Sequence, residues 1–163
     1  WSSDVCSSDL SGEGRGIATF RRGSRAYVAL TTVPDGGTAT TSAVHTVEVS
    51  HPSQPVVVGR IVCDLSTNSA TATGALHTGI ATFVRGGSTY ALVAVEATAT
   101  SEGDTDGLVV LDLSDPFHPA QVGTAINGVD GFTCTFSSTA EVFPVATIER
   151  GGDTYAQIGR AHG

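Results

Sequence analysis

Short apolar runs alternate with polar stretches rich in Gly, Thr and Pro along most of the chain. No window combines the helical spacing of apolar residues with capping signals, so the pattern predicts an all-β protein. The runs have the length and the flanking turn residues that are typical of strands. They lie at residues 16–20, 27–33, 46–49, 56–62, 89–97, 108–113 and 120–126.

Two of these runs, YALVAV (90–95) and LVVLDL (108–113), are apolar almost without interruption. A strand with one wet face would alternate between apolar and polar residues. We therefore expect both faces of these strands to be covered by other parts of the protein.

A hairpin-like segment occurs three times. Its clearest copy is ATFVRGGSTYA (81–91), and related copies begin at Ala18 and Ala146. Their tyrosines, at 27, 90 and 155, are spaced by 63 and 65 residues. The Gly-Gly pairs of the second and third copies suit a two-residue hairpin turn, whose residues need positive φ, and the first copy has the single Gly23 in its turn.

A second segment recurs with a similar spacing. VHTVEVSHPSQPVVVG (44–59) matches LVVLDLSDPFHPAQVG (108–123), 64 residues later. Proline cannot donate to a strand ladder, so the two prolines in each copy mark a turn between strands. We call residues 50–55 and 114–119 the proline corners. A period near 64 residues indicates tandem repeats.

Each repeat thus contains a hairpin followed by two strands joined at a proline corner. Tandem four-stranded antiparallel units with covered faces are typical of β-propeller blades. We expect a propeller fragment, with blades at 11–78 and 79–143 and the first hairpin of a third blade at 144–157. A β-sandwich would show alternation without the long period, and a β-solenoid would have a shorter period.

The segment GLVVLDLSDPFHPAQVG (107–123) resembles the LVIVD repeat of bacterial and archaeal β-propellers. The matching residues are Asp112, Ser114, Asp115, Pro116, Pro119 and Gly123. The first repeat departs from the motif, with Glu48 and His51 at the two acidic positions. The resemblance implies a propeller fold, and it implies no activity because the family shares no catalytic residues.

Both ends of the chain resemble a translated sequencing adapter. WSSDVCSSDL (1–10) reads one strand of such an oligonucleotide, and residues 158–162 read the opposite strand. We therefore expect 1–10 and 158–163 to be artefacts on a piece of a longer protein.

Charge narrows the range of partners. The chain has a net charge of −8 and contains no lysine. This balance argues against nucleic acid or an anionic membrane as partner. The apolar runs are also much shorter than a membrane-spanning helix requires. We expect the partners to be a protein or small ligand bound through the blade loops, and the remaining blades of the same chain.

Two groups of residues suggest metal or redox chemistry. Glu102, Asp104 and Asp106 precede Gly107 as in a calcium loop, but the closing carboxylate is missing at both Val110 and Leu113. We expect no tight metal site and no cofactor. Once Cys6 is set aside with the adapter, Cys63 and Cys134 remain. They are either unpaired or bridged between repeats, and their spacing does not suit zinc.

Catalytic chemistry has one weak candidate, Asp112 paired with His118 or His77. We favour a structural role, because Asp and Ser before Pro accept hydrogen bonds in turns. We expect His45, His51, His77 and His118 to be surface or turn residues.

No motif supplies a nucleophile with a partner, so we predict no catalytic residues. The function expected is non-catalytic binding or display, in an extracellular or cell-surface protein. The alternative is an enzyme whose catalytic residues lie in other blades.

Overall fold

The computed structural model describes residues 13–33, 43–62, 75–97, 107–127 and 144–158, and these residues form ten strands and no helix. The strands are β1 (Glu13–Arg22), β2 (Arg25–Val33), β3 (Ala43–Glu48), β4 (Val56–Ile61), β5 (Ala75–Arg85), β6 (Ser88–Ala97), β7 (Gly107–Asp112), β8 (Ala120–Asn127), β9 (Val145–Arg150) and β10 (Asp153–Ile158). Within these residues nothing forms a helix long and apolar enough to cross a membrane.

The strands form two four-stranded antiparallel sheets and one hairpin. Sheet 1 has the order β1-β2-β3-β4, and sheet 2 has the order β5-β6-β7-β8. The third hairpin pairs β9 with β10. Within each sheet, strands that are consecutive in sequence pair with one another, and the expected all-β architecture of four-stranded antiparallel units is confirmed.

The glycine pairs form the predicted tight turns. Gly86 and Gly87 have φ values of 60° and 82°, and Gly151 and Gly152 have values of 64° and 88°. Side chains with a Cβ rarely adopt this left-handed conformation. Phe20 pairs with Tyr27 and Phe83 with Tyr90, so the first two hairpins share one register.

Some predicted strand boundaries were wrong. β5 begins at Ala75, six residues before the start of the hairpin segment that we identified at 81–91, and Ala75 pairs with Ala97. β7 ends at Asp112, one residue before the predicted end. Its successor Leu113 still donates its N–H to the carbonyl of Thr89, at 2.8 Å.

The sheets stack in chain order, and each has a forward face turned towards the next sheet and a rear face turned away from it. Alternate residues of each strand share a face. Between sheets 1 and 2, apolar side chains from the forward face of sheet 1 and the rear face of sheet 2 form one cluster. Its members are Phe20, Tyr27, Ala29 and Val44 of sheet 1, and Ile80, Ala91, Val93, Val95, Val109, Leu111 and Leu113 of sheet 2.

A second apolar cluster lies on the forward face of sheet 2. It contains Leu92, Ala94 and Leu108, and Val145 and Ile158 of the third hairpin pack against it. Residues 91–95 of β6 are consequently buried on both faces. The prediction that the middle strands are covered on both sides is confirmed for sheet 2.

The proline corner of sheet 2 rests on sheet 1. The Thr46 hydroxyl donates a hydrogen bond to the carbonyl of Pro116. A Cβ at Gly59 would lie closer than 3.0 Å to the Pro116 oxygen, to Thr46 Oγ1 and to Pro119 Cδ. Pro116 and Pro119 are buried in this contact. Glycine at 59 is thus what lets the two repeats approach.

This close approach predicts a large effect of Gly59→Ala. The added methyl group has to displace the backbone at Pro116, and overpacking of this kind costs about 1–3 kcal/mol. Chemical denaturation followed by circular dichroism measures the loss. The matched control is Gly14→Ala, whose Cβ would meet only Leu30 Cδ1 at 3.4 Å. The control should stay within about 0.5 kcal/mol of wild type. Equal losses in the two variants would contradict the contact.

Candidate functional site

The proline corner of sheet 2 is held by hydrogen bonds from its own polar residues. Asp112 Oδ1 accepts the N–H of Ser114 at 2.8 Å. The Ser114 hydroxyl oxygen in turn accepts the N–H of Thr89 at 3.1 Å. These bonds tie the corner to the beginning of β6, beside the hairpin turn.

Sheet 1 repeats this arrangement. Ser50 Oγ accepts the N–H of Ala26 at 3.0 Å, and the Val49 N–H bonds to the Ala26 carbonyl at 2.9 Å. Glu48 occupies the position of Asp112 and forms an ion pair with Arg25 at 3.2 Å. The proline corner and the hairpin turn are therefore joined at the same end of the strands in both sheets.

His118 lies in the corner and contacts Asp115 rather than Asp112. Its Nδ1 is 2.9 Å from Asp115 Oδ2, and both side chains are exposed. The other Asp115 oxygen accepts the N–H of Phe117 at 3.0 Å. The hydrogen bond with His118, and then that with Phe117, lower the pKa of Asp115. Asp112, Ser114 and Asp115 each accept a backbone N–H group, as expected of Asp and Ser at a turn, and the side chain of His77 lies outside the described residues.

The prediction for His45 was wrong. His51 and His118 are exposed, as expected, but His45 lies on β3 with 6% of its surface exposed. Its Nδ1 is buried and has no hydrogen-bond partner within the described ranges. Burial, and to a lesser degree the charge of Arg60 on β4, lower its pKa. The repeat alignment offered a signal, because the matching residue is Val109, which is 1% exposed.

A chain of threonine hydrogen bonds links the three hairpins. Thr82 Oγ1 donates to the carbonyl of Thr19 at 2.8 Å, and Thr147 Oγ1 donates to the carbonyl of Thr82 at 3.4 Å. The three residues hold the same position in each repeat. We call this the threonine ladder. Sequence reasoning missed it, although a threonine follows the first alanine in every copy of the hairpin segment.

A shallow depression of about 540 Å³ lies on the third hairpin, lined by Ile148, Arg150, Gly151, Asp153 and Tyr155. The matching residues of the first hairpin include Phe20 and Tyr27, which sheet 2 covers. The depression is therefore the forward face of the third hairpin, on which no sheet of the described residues packs, and it lacks the enclosure typical of small-molecule sites.

Six further candidate residues lie outside the described part of the chain. These are Cys6, Cys63, Cys134, Glu102, Asp104 and Asp106. Within the described ranges, no group of three or more His, Cys, Asp or Glu side chains is arranged to hold a metal ion.

Comparisons with protein-family models, curated proteins and solved structures found no match. The functional argument therefore depends on the geometry of the repeats.

The buried His45 predicts a specific pH dependence of stability. Its pKa in the folded chain is below the ordinary value of 6.5. As the pH falls through 6.5, the unfolded chain takes up a proton that the folded chain does not. The free energy of unfolding should decrease below this pH, by up to about 1.4 kcal/mol per pH unit.

Urea titrations between pH 7.5 and 5.5 test this expectation. His45→Val, which copies the residue at 109, should remove this part of the slope. The control, His51→Gln at an exposed position, should keep it. A slope unchanged in His45→Val would assign the pH dependence to another group.

Proposed function

We propose that the chain is a non-catalytic scaffold, a run of β-propeller blades of the LVIVD-repeat kind that presents its loops for binding. The observation that carries the proposal is the repeated junction between successive sheets. A forward apolar face meets a rear apolar face at both junctions. A threonine hydrogen bond joins the hairpins at both as well.

The strand arrangement supports the propeller part of the proposal. Each four-stranded unit is antiparallel and follows chain order, as in a propeller blade. The first strands of successive units, β1, β5 and β9, lie next to one another through the threonine ladder. First strands that meet in this way correspond to the inner strands around a propeller axis.

The loops at the two ends of the strands differ, and this difference favours binding at one of the two ends. The hairpin turns and the proline corners lie at one end of the strands, which we call the turn side of the stack. Hydrogen bonds join them there. Because neighbouring strands are antiparallel, the longer connections begin and end at the opposite end of the strands, which we call the connection side of the stack. Those connections, residues 34–42, 63–74, 98–106 and 128–143, contain seven Asp or Glu and no Lys, Arg or His.

This composition favours a cationic protein surface or small ligand over nucleic acid. The remaining blades of the same protein are further partners under this proposal. The ATFVRGGSTYA hairpin (81–91) resembles a segment of large repetitive extracellular proteins, and this resemblance supports an extracellular or cell-surface location.

A scaffold of this kind should tolerate exchange of a connection. Replacing residues 98–106 by a Gly-Ser segment of equal length leaves the loop-closure entropy nearly unchanged, and the described members of the apolar clusters lie in strands or directly after one. We expect the midpoint of thermal unfolding to stay within about 4 °C, a shift equivalent to about 1 kcal/mol. The contrasting variant, Gly87→Val, places a β-branched residue at φ 82° and should unfold at lower temperature. Unfolding caused by the exchange alone would contradict the scaffold.

Binding is tested with two charge-neutralised variants. The first variant removes three charges from the connection side, by Glu102→Gln/Asp104→Asn/Asp106→Asn. The second variant removes three charges from the turn side, by Asp115→Asn/Glu149→Gln/Asp153→Asn. The probes are Lys-rich and Glu-rich peptides of equal length. We expect the Lys-rich peptide to bind, and to bind at least threefold more weakly to the first variant alone. An equal loss of affinity for the Lys-rich peptide in both variants, or no binding by wild type, would contradict binding at the connection side.

A further inference from the structure

No other sheet within the described ranges packs on the rear face of sheet 1. Five apolar residues of the rear face of sheet 2, namely Ile80, Ala91, Val93, Leu111 and Leu113, are buried against sheet 1. The matching residues of sheet 1 are Ile17, Val28, Leu30, Val47 and Val49. Ile17 is 69% exposed whereas Ile80 is 6% exposed, and the other four are half-buried. The part of this face around Ile17 therefore presents apolar side chains on which no other sheet of the described residues packs, whereas Thr32, Ala43 and His45 on the same face are buried.

At the other end of the stack, no other sheet of the described residues covers the forward face of the third hairpin. On the third hairpin, Ile148 is 49% exposed and Tyr155 is 53% exposed. The residues at these positions in the first hairpin, Phe20 and Tyr27, are 7% and 3% exposed because sheet 2 covers them. One chain thus carries both halves of a junction that it already forms twice internally.

We propose that two copies of this chain associate head to tail, with the rear face of sheet 1 in one copy packed on the forward face of the third hairpin in the other. The contact continues the internal junctions. In it, the Thr19 hydroxyl of one copy donates to the Thr147 carbonyl of the other and extends the threonine ladder by one step. The inference rests on the repeated junction and is independent of the proposed binding function.

The geometry of the two faces also sets the strength and form of the association. The third hairpin has only two strands, so it covers the part of sheet 1 around Ile17, Val28 and Leu30. A small apolar interface of this kind gives weak binding, on the order of 10 µM. Because the two surfaces in contact differ, each added copy leaves a new free face, so the association continues head to tail, as a filament or until a ring closes, and does not stop at a symmetric dimer.

Two variants of the full 163-residue chain each block one end. Ile17→Arg places a charge on the rear face, and Tyr155→Arg places one on the forward face. Both residues are largely exposed, so both variants should fold, and circular dichroism checks this. The matched control is Val84→Arg, which changes a strand residue that is 58% exposed and lies on neither end face.

Sedimentation velocity over a concentration series from 1 to 200 µM is the measurement. Wild type and Val84→Arg should grow in mass with concentration, and each end variant alone should associate at least tenfold more weakly. An equimolar mixture of the two end variants has one intact pair of faces, so it should form dimers and stop there.

Other results would overturn the proposal. One is a wild-type chain that remains monomeric at 200 µM. Another is self-association that persists in Ile17→Arg, because this would indicate symmetric pairing, for example through the free edges of two β10 strands. A third is a mixture that associates no better than its components.

Discussion

The burial of one sheet's forward face under the rear face of the next is the interaction on which the rest of the structure depends. An isolated hairpin is marginally stable in water, because it buries too little apolar surface. Here β6 gains burial on both sides, with Ala91, Val93 and Val95 against sheet 1 and Leu92 and Ala94 towards the third hairpin. Each fully buried Val or Leu contributes about 1.5–3 kcal/mol. Sheet 2 therefore draws its stability from two neighbours, and each junction stabilises the sheets on both of its sides.

Apolar faces alone would let the sheets slide, and a few polar and small residues fix their alignment. The Thr82 hydroxyl reaches the Thr19 carbonyl, and the Thr46 hydroxyl reaches the Pro116 carbonyl at the other side of the sheet. Gly59 adds a steric condition, because the corner fits only where the Cβ is absent. Hydrophobic burial thus supplies most of the free energy, and these contacts select one alignment.

Much of the fold follows from local sequence, and the contacts between repeats do not. Apolar runs, Gly-Gly turns and proline corners predict the ten strands and their pairing, because turn chemistry acts within a few residues. The ladder joins residues 63 and 65 positions apart, and its geometry depends on how two sheets stack. His45 shows the same limit. Its residue type suggests a surface position, whereas its place in the repeat, shared with Val109, determines its burial.

The direction of the threonine ladder also explains why the two ends of the stack differ chemically. At each junction the later repeat donates a hydroxyl and the earlier repeat accepts at a carbonyl. The Thr19 hydroxyl at one end and the Thr147 carbonyl at the other therefore occupy opposite halves of the same junction. A two-fold axis would bring two Thr19 hydroxyls or two Thr147 carbonyls together, and neither arrangement reproduces the hydroxyl-to-carbonyl bond of the internal junctions. Any surface that satisfies one end through the ladder must resemble the opposite end, as another repeat of the same kind does.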